Sequence, residues 1–331
     1  MKAAVIPAVR SKWEVKEIPT PEVGPNQVLI KIHASGLCYT DVHVTEGHLP
    51  EKWLPKFPCT IGHEPVGEIV SVGTGVRTRK VGDRVGVPWL QASCGRCEWC
   101  LRKKPEFCKE SIGTGGAMQG GHAEFMLAYA DATMPLPEKL SYEQAAPIFC
   151  AGYTVWSGLR IADPKPHERI AILGIGGLGH LAVQYSKAAG FETIGITHSP
   201  DKKKLIKELG ADEVFENGES LGRSGGADVI LATSNSYKAT AEAVKGLRPD
   251  GRLVLMGLDN EPLMLSGEIL AKRVRIISSI QNGPEYLYEA LDYAAKGKVK
   301  VMAETYPLAQ IAKAYERVSS GDVRFRAVIT N

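Results

Sequence analysis

The sequence lacks any apolar run long enough to cross a lipid bilayer, and residues 1–10 contain no apolar signal segment. Cysteine is also scarce, with seven in 331 residues and four of those in one short stretch. These absences argue against a membrane-spanning or disulfide-rich secreted protein and predict a soluble globular protein of the reducing cytoplasm. A formal net charge of only +3 gives no basic surface for DNA or RNA, and we find no internal repeat, low-complexity tract or disordered tail.

Glycine and proline are plentiful, with 35 and 20 residues, so many turns are expected in a chain whose length normally gives two domains. Up to about residue 147, short β-rich runs such as 27–32, 67–72 and 84–88 predict an irregular, mostly antiparallel β domain. After Cys150, apolar strands alternate with amphipathic helices, which predicts a parallel sheet covered by helices and an α/β fold class. The predicted strands are 169–173, 193–197, 228–232 and 252–256, the helices are 178–189, 200–209 and 236–247, and the tail has helices near 285–295 and 308–319 and a strand at 325–330.

The clustered cysteines predict a metal site. Their spacing leaves two, two and seven residues between successive thiols, and four soft sulfur ligands suit Zn²⁺ best, with an iron–sulfur cluster as the main competitor. Two disulfides or unligated thiols fit a cysteine-poor chain less well, and glutamates interrupt the lysines and arginines that would make a nucleic-acid-binding ribbon. A four-thiolate site leaves no open position, so we expect it to be structural; its residues are Cys94, Cys97, Cys100 and Cys108.

A glycine-rich turn follows the first predicted strand of the α/β region. The run GIGGLG at 174–179 lies between that strand and a helix, where glycines allow a tight turn and close approach of a pyrophosphate. The alternative is a purely structural turn. The residues assigned to dinucleotide binding here are Gly174, Gly176, Gly177, Leu178 and Gly179.

The end of the second α/β strand indicates which dinucleotide binds. An acidic residue there would hold the adenosine ribose of NAD, but Thr197 occupies the position, with His198 and Ser199 after it. Lys202 follows shortly, so donors for a 2′-phosphate are near and a repelling carboxylate is missing. We therefore predict NADP(H) in preference to NAD(H); the alternative is that the lysines from Lys202 onward only form a solvated helix face.

Five motifs occur in one order. These are GLCYTDVH at 36–43, GHEPVG at 62–67, the four-cysteine loop, Cys150 and the glycine fingerprint. In this arrangement the chain resembles the zinc-dependent medium-chain alcohol dehydrogenases, and the short chain with VPWL at 87–90 is similar to their bacterial and yeast-type tetrameric branch. The resemblance implies a GroES-like catalytic domain at 1–150, to which 284–331 return, and a Rossmann doubly wound cofactor domain at 151–283.

The resemblance also implies two zinc ions per chain, one in the cysteine loop and one catalytic. Cys38, His63 and Cys150 would hold the catalytic ion, and this set leaves a fourth position for water or an alcohol oxygen. Asp41 matches a residue that orients the His63 ring, and Glu64 matches one behind the metal that transiently ligates it; an ordinary buried hydrogen-bonding role is the alternative for both. Cys59 has no partner in this scheme and is interpreted as a small core residue.

The same resemblance implies a route for the substrate proton. Thr40 and His43 occupy the positions of a hydroxyl and a histidine that pass it, through the nicotinamide ribose, to solvent; the alternative is that His43 is a surface histidine. Tyr39 departs from the family's basic residue against the cofactor pyrophosphate, whereas Arg326 matches a family arginine with that role.

Substrate and partners follow from the resemblance too. Trp89 and Leu49 fall at substrate-pocket positions, with core packing as the alternative for Leu49. Because Thr40 is bulkier than serine, we expect primary alcohols and their aldehydes as substrates, and a homotetramer, or a dimer, as the assembly. Two other functions stay open, a zinc-free quinone-reductase-like NADPH oxidoreductase and a non-catalytic nucleotide-binding module.

Overall fold

The computed structural model describes residues 1–49 and 54–331 and divides into two units. The first unit contains Met1–Cys150 and Val301–Asn331, and the second contains Ala151–Lys300. In the described part of the chain, no helix is long and apolar enough to span a membrane. The two units match the predicted α/β class, with a mostly antiparallel β unit and a parallel-sheet unit.

The strands and helices are numbered in chain order. The strands are β1 (Lys2–Val5), β2 (Glu14–Glu17), β3 (Gln27–Leu37), β4 (Glu64–Val72), β5 (Arg84–Gly86), β6 (Leu90–Ala92), β7 (Ile112–Gly113), β8 (Phe125–Tyr129), β9 (Met134–Pro135), β10 (Arg169–Leu173), β11 (Glu192–Ile196), β12 (Glu213–Phe215), β13 (Ala227–Ala232), β14 (Leu247–Leu255), β15 (Arg275–Ser278), β16 (Ala303–Pro307) and β17 (Arg326–Thr330). The α-helices are α1 (Tyr39–Glu46), α2 (Glu98–Leu101), α3 (Tyr142–Ala145), α4 (Ala151–Ile161), α5 (Gly179–Ala188), α6 (Pro200–Glu208), α7 (Gly218–Arg223), α8 (Tyr237–Ala243), α9 (Glu268–Ala271), α10 (Pro284–Ala295) and α11 (Ile311–Ser319).

The first unit is built on one large sheet. Its strand order is β16-β17-β3-β4-β5-β9, with β8 also paired to β3. Alternate residues of β3 are buried, as expected for a strand with one face on a core, and Val28, Ile30 and Ile32 form part of that core. Gly36 on β3 lies opposite Glu64 on β4, and Leu37 lies opposite Ala327 on β17. The register therefore gathers residues 38, 64 and 326 at one end of the sheet.

The second unit is a doubly wound domain. Its six strands are all parallel, in the order β12-β11-β10-β13-β14-β15. All five residues of β10 and five of the six of β13 are buried, because helices cover both faces of such a sheet and its central strands become continuous apolar runs. The predicted strands and helices of this region are all present, within a few residues at their ends, except that 236–247 ends as a 3-10 turn at Val244–Gly246.

The chain returns to the first unit later than the sequence suggests. Residues 284–300, expected with the catalytic domain, lie in the second unit, which ends at Lys300. The reason is α10, whose apolar face faces inward and contacts helices of that unit. The Tyr185 hydroxyl donates to the Ala290 carbonyl over 3.0 Å, and the rings of Trp156 and Tyr293 are 4.9 Å apart.

Candidate functional site

Cys38 lies where β3 gives way to α1. Its backbone N–H donates to Asp41 Oδ2 over 2.8 Å, and the Asp41 N–H donates back to the Cys38 carbonyl over 3.0 Å, which caps the helix and fixes the Cys38 backbone. Gly47 ends the helix with φ of +69°, a left-handed conformation that glycine adopts without strain. The Cys38 side chain is 5% exposed, so its thiol lies inside the unit rather than at the surface.

His63 directly precedes β4 and lies between Asp41 and the thiols. Its Nδ1 is 3.5 Å from Asp41 Oδ1, and its Nε2 is 3.3 Å from Cys150 Sγ. Both His63 and Asp41 are almost fully buried. Burial opposes a charge on the imidazole, but the Asp41 carboxylate outweighs it and raises the pKa of His63 well above its ordinary value. Asp41 therefore makes the His63 ring a better electron donor on its Nε2 side.

Cys150 completes a cluster of three candidate metal ligands. Its Sγ is 3.8 Å from Cys38 Sγ, and one ligand atom of each of Cys38, His63, Cys150 and Glu64 lies within 4.8 Å of the others. Two thiolates on a tetrahedral Zn²⁺, each at about 2.3 Å, would lie about 3.8 Å apart. The Cys38–Cys150 separation therefore fits zinc without rearrangement. Hydrogen bonding with Cys150 also holds the pKa of the Cys38 thiol well below its ordinary value, so a thiolate is accessible.

A buried ion pair stands behind this cluster, and the sequence did not reveal it. Glu64 is 0% exposed, Arg326 is 4% exposed, and the guanidinium donates to Glu64 Oε1. Burial raises the pKa of Glu64 to about 7 despite Arg326, so the carboxylate sits at the edge of ionisation. A Cβ on Gly36 would overlap Glu64 Oε2, so glycine is needed opposite this side chain. Arg326, expected at a cofactor pyrophosphate, is here the partner of Glu64.

The four-cysteine loop forms the second cluster. Cys100 Sγ lies 3.9 Å from Cys94 Sγ and 3.6 Å from Cys97 Sγ, again near the separation of about 3.8 Å that tetrahedral zinc requires. A hydrogen bond from the Arg96 amide is the largest cause that lowers the pKa of Cys94 to about 7. Cys108 is the fourth member, and the Cys94 N–H points to its Sγ over 3.5 Å. The loop charges are partly paired among themselves, because Arg96 binds Glu110 and Arg102 binds Glu98.

Helix α1 also carries the two residues expected to move a proton. Thr40 Oγ1 is 3.7 Å from Cys38 Sγ, so its hydroxyl borders the cluster. His43 is three residues further along the same helix face and is 9% exposed, which makes it an interior rather than a surface histidine. Among the described residues nothing hydrogen-bonds to its buried Nδ1. Burial and, next, the charge of His48 lower the pKa of His43, so the ring is neutral near pH 7.

The two expected pocket residues and Cys59 differ in their surroundings. The Trp89 ring stands edge-on to His63, with ring centres 5.5 Å apart, and is 36% exposed, so it borders the cluster. Leu49 instead packs against the apolar core under α1 and α11. Cys59 packs against that core as well, and burial raises the pKa of its thiol to about 12, which makes it an unreactive packing residue.

The glycine fingerprint lies in the second unit between β10 and α5. Gly174 has φ of +85°, and a Cβ on Gly179 would strike the Gly174 carbonyl oxygen, so both positions require glycine for the turn itself. A Cβ on Gly176 would meet nothing within 4 Å. Glycine at position 176 is therefore not required by packing within the protein, and the open space beside it is expected of a backbone that a ligand approaches closely. Gly177 and Leu178 complete the turn before α5.

The segment after β11 carries the residues expected to select the cofactor. Thr197 Oγ1 accepts from the Ser199 N–H over 3.2 Å, so its hydroxyl shapes the turn after the strand. His198 is exposed on that turn. Lys202, on α6, donates from Nζ to the Ile175 carbonyl over 3.1 Å, which brings its positive charge to the fingerprint turn. Sequence alone placed Lys202 on this helix but not beside the fingerprint.

Comparison with known proteins supports one family across the chain. Residues 24–138 match the family model described as the alcohol dehydrogenase GroES-like domain, and residues 177–296 match that of the zinc-binding dehydrogenases. An alcohol dehydrogenase of Geobacillus stearothermophilus is 41% identical over 337 residues, covering 99% of each chain.

Solved structures agree with this assignment. A structure of CAD from Helicobacter pylori, complexed with NADP(H), has a TM-score of 0.89 at 25% identity and covers 99% of this chain and 97% of its own. An acetophenone reductase from Geotrichum candidum, in complex with NAD, has a TM-score of 0.87 at 27% identity and covers 100% of this chain and 97% of its own. With its GroES-like unit, its doubly wound unit and its cysteine-rich clusters, the chain belongs to the zinc-dependent medium-chain alcohol dehydrogenases.

Proposed function

We propose that this alcohol dehydrogenase holds a catalytic zinc ion on Cys38, His63 and Cys150 and interconverts primary alcohols and aldehydes with NADP(H) as its preferred cofactor. The observation that carries the proposal is the convergence of Cys38 Sγ, His63 Nε2 and Cys150 Sγ at separations of 3.3 and 3.8 Å. Three protein ligands of this kind leave a fourth position for substrate, as catalytic rather than structural zinc sites do.

The residues of the first unit have separate tasks in this reaction. When bound, Zn²⁺ supplies Lewis acidity that lowers the pKa of an alcohol hydroxyl towards neutrality. Asp41 holds the His63 ring through Nδ1, so that Nε2 faces the thiols. Glu64, at a pKa of about 7, adds a carboxylate behind the cluster, and Arg326 keeps it in place. The fixed positions of these groups reduce the reorganisation that charge development would otherwise need.

The proton of the alcohol leaves along α1. Thr40 Oγ1 borders the cluster, where it would accept that proton and release its own hydroxyl proton to the nicotinamide ribose of the bound cofactor. His43 would take up the relayed proton on the way to solvent, because its lowered pKa keeps the ring neutral at pH 7 and its Nδ1 has no partner among the described residues. In aldehyde reduction the same groups return a proton. The T-shaped contacts of His43 with Tyr39 and His48, at ring-centre distances of 5.1 and 5.9 Å, hold its ring in one orientation.

The preference for primary alcohols rests on two side chains beside the cluster. Trp89 presents an aromatic surface edge-on to His63, and Thr40, which carries one methyl group more than serine, borders Cys38 through its hydroxyl. A secondary alcohol must fit a second carbon branch beside these side chains. We therefore expect aliphatic and aromatic primary alcohols to give a higher kcat/KM than secondary alcohols of equal size, and Thr40→Ser to reduce the difference.

The preference for NADP(H) is supported by the turn after β11. Thr197 offers no carboxylate to repel a 2′-phosphate, and Lys202 brings positive charge to the fingerprint turn. Thr197→Asp should shift the ratio of kcat/KM values towards NAD(H). Lys202→Gln should raise the KM for NADP(H) more than Lys203→Gln, the matched control, because Lys203 is exposed on the same helix. A clear NAD(H) preference of the unmodified enzyme would contradict the proposal.

The four-cysteine loop is proposed to hold a second, structural zinc ion.

The assembly is proposed to be a homotetramer. Strand β15 is the last in the sheet order of the second unit, and Ile276 on it is 43% exposed. Met264, Leu270 and Ile280, nearby in the sequence, are still more exposed. Exposed apolar side chains along a sheet edge favour association between chains. Light scattering of the purified enzyme should give the mass of four chains.

One set of measurements tests the whole proposal. Metal analysis should find two zinc ions per chain, matching the two clusters of candidate ligands. Turnover of a panel of primary, secondary, aromatic and polyol substrates with both cofactors should then give the substrate class. A protein with fewer zinc ions that reduces quinones with NADPH would be a zinc-free oxidoreductase instead, and nucleotide binding without turnover of any substrate would indicate a binding module.

A further inference from the structure

His122 is a fully buried histidine that the reaction described above does not use. It precedes β8, and two backbone hydrogen bonds hold it in place. Its N–H donates to the Ile61 carbonyl over 3.0 Å, and its carbonyl accepts from the Ala4 N–H over 2.8 Å. Because Ile61 is two residues before His63, the His122 backbone is tied to the segment that carries the candidate zinc ligand.

The His122 ring lies against the same segment and faces Asp41. Its Nε2 is 3.6 Å from Asp41 Oδ2, while Asp41 Oδ1 is 3.5 Å from His63 Nδ1. Gly62 has φ of +107°, and a Cβ there would come within 2.7 Å of the His122 ring, so the ring packs directly on the backbone next to His63. Trp13 contacts His122 as well, with ring centres 5.6 Å apart.

The two ring nitrogens of His122 are unfavourable in an apolar interior unless they bind a partner. A buried imidazole loses its hydrogen bonds to water, at a cost of about 1–3 kcal/mol for each polar group without a partner. Among the described residues neither ring nitrogen has a partner within hydrogen-bonding distance. The Nε2–Oδ2 separation of 3.6 Å needs to shorten by only a few tenths of an ångström to become a hydrogen bond. A phenylalanine would fill the same apolar surroundings without that cost, so the contact with Asp41 accounts for the imidazole.

We propose that His122 is a positioning residue that acts through Asp41. By binding Oδ2 it fixes the rotation of the carboxylate, and Oδ1 is then held towards His63 Nδ1. The backbone N–H of Cys38, the candidate zinc ligand three residues before Asp41 in the chain, donates to the same Oδ2 over 2.8 Å. It therefore helps to fix the carboxylate. The inference rests on the proposed zinc site, because the purpose of the arrangement is to orient His63 Nε2 towards the metal.

The expected effect of losing the His122 nitrogens on zinc release follows from the contacts that join His122 to Asp41 and Asp41 to His63. Removing a group that orients a zinc ligand typically lowers metal affinity or activity by about 10–100-fold. His122 acts one contact further out, since it touches Asp41 and not His63. We therefore expect His122→Phe, which keeps an aromatic ring and removes both nitrogens, to speed loss of the catalytic zinc about tenfold.

The experiment follows zinc release from the holoenzyme to a chelator at pH 7. Cys38→Ser, which should retain only the loop zinc, identifies which phase of release belongs to which site. His122→Gln places an amide nitrogen near the position of Nε2 and should keep slow release, while His122→Phe should not. Trp13→Phe is the control for packing on His122 and for the Trp13–Thr45 hydrogen bond. It leaves the His122 nitrogen facing Asp41, so it should lower the melting temperature without changing zinc release.

Two results would overturn the inference. One is release from His122→Phe as slow as from the unmodified enzyme, and the other is release from His122→Gln as fast as from His122→Phe, because either would leave His122 with packing alone. Failure of the proposed zinc site is a separate observation, since the unmodified holoenzyme would then contain fewer than two zinc ions per chain.

Discussion

The Glu64–Arg326 pair allows a quantitative test of how the interior around the candidate zinc site is held together. Both side chains are almost completely buried, at 0% and 4% exposure, and each is the charged partner of the other. At about pH 9 the carboxyl of Glu64, with its pKa of about 7, is ionised beside Arg326. Removing the guanidinium there leaves either a buried unpaired charge or a carboxyl that must take up a proton at high pH, and breaking such a pair typically costs about 3–5 kcal/mol. In Arg326→Met an unbranched apolar side chain replaces the arginine stem and limits the cavity, so most of the cost comes from Glu64.

That cost should appear in thermal unfolding. In domains of roughly 150–250 residues, 1 kcal/mol changes the melting temperature by about 2–4 °C, so Arg326→Met should melt about 6–20 °C lower. The double variant Glu64→Gln/Arg326→Met removes both charges and should recover much of the loss, because a neutral buried pair needs no compensation. Scans of zinc-loaded samples at about pH 9, one protein concentration and one heating rate make the comparison valid. An Arg326→Met enzyme that melts within 2–3 °C of the unmodified enzyme, or a double variant that melts as low as Arg326→Met or lower, would refute the reasoning.

Three further predictions concern the loop, the fingerprint and the proton route. Cys100→Ser should lower the melting temperature or impair assembly, whereas Cys38→Ser should abolish turnover in a protein that folds; equal loss of fold in both would contradict the division into structural and catalytic sites. Gly179→Ala should destabilise the second unit, because its Cβ meets the Gly174 carbonyl, while Gly176→Ala, with free space around its Cβ, should keep the melting temperature and weaken nucleotide binding. Isothermal titration with NADP(H) and NAD(H) separates these outcomes. The unmodified enzyme should lose alcohol oxidation as the pH falls through the lowered pKa of His43, since the protonated ring cannot accept a proton. His43→Gln should remove that acid limb and lower kcat, and an unchanged pH profile would show that His43 takes no part.

The helices and strands of the second unit were the most predictable part of the fold. Strand β10 appears at the residues expected, because a short, almost continuously apolar run that leads into a glycine turn is typical of a strand in the middle of a covered sheet. Strand β15 was not predicted. Three of its four residues are exposed at the sheet edge, so its sequence carries no burial pattern. Helix α4 was missed as well, since it follows Cys150 without a capping residue that would mark its beginning.

The candidate zinc ligands were predicted from residue type and from resemblance, and the structure brings their atoms together. The resemblance indicated Asp41 as the partner of His63, but residue type did not indicate the two further contacts behind these residues. Arg326, for which a contact with a cofactor phosphate is predicted, lies 262 residues from Glu64 in the chain and next to it in space, and residue type gave no indication of this pairing. His122 gave no signal, because a lone histidine in a run of small and apolar residues resembles any core position.

Features that depend on neighbouring residues could be predicted from the sequence, whereas features that depend on distant residues required the tertiary structure. Cysteine spacing, the glycine turn and the hydrophobic periodicity are local, so the amino-acid order is sufficient to predict a metal loop, a nucleotide turn and an alternating α/β unit. The antiparallel pairing of β3 with β4 and β17 is non-local, and it alone places Cys38, Glu64 and Arg326 at one end of a sheet. The pairs Asp41–His63, Asp41–His122 and Glu64–Arg326 depend on that register, because buried charges are stabilised by whichever partners the fold brings within a few ångströms.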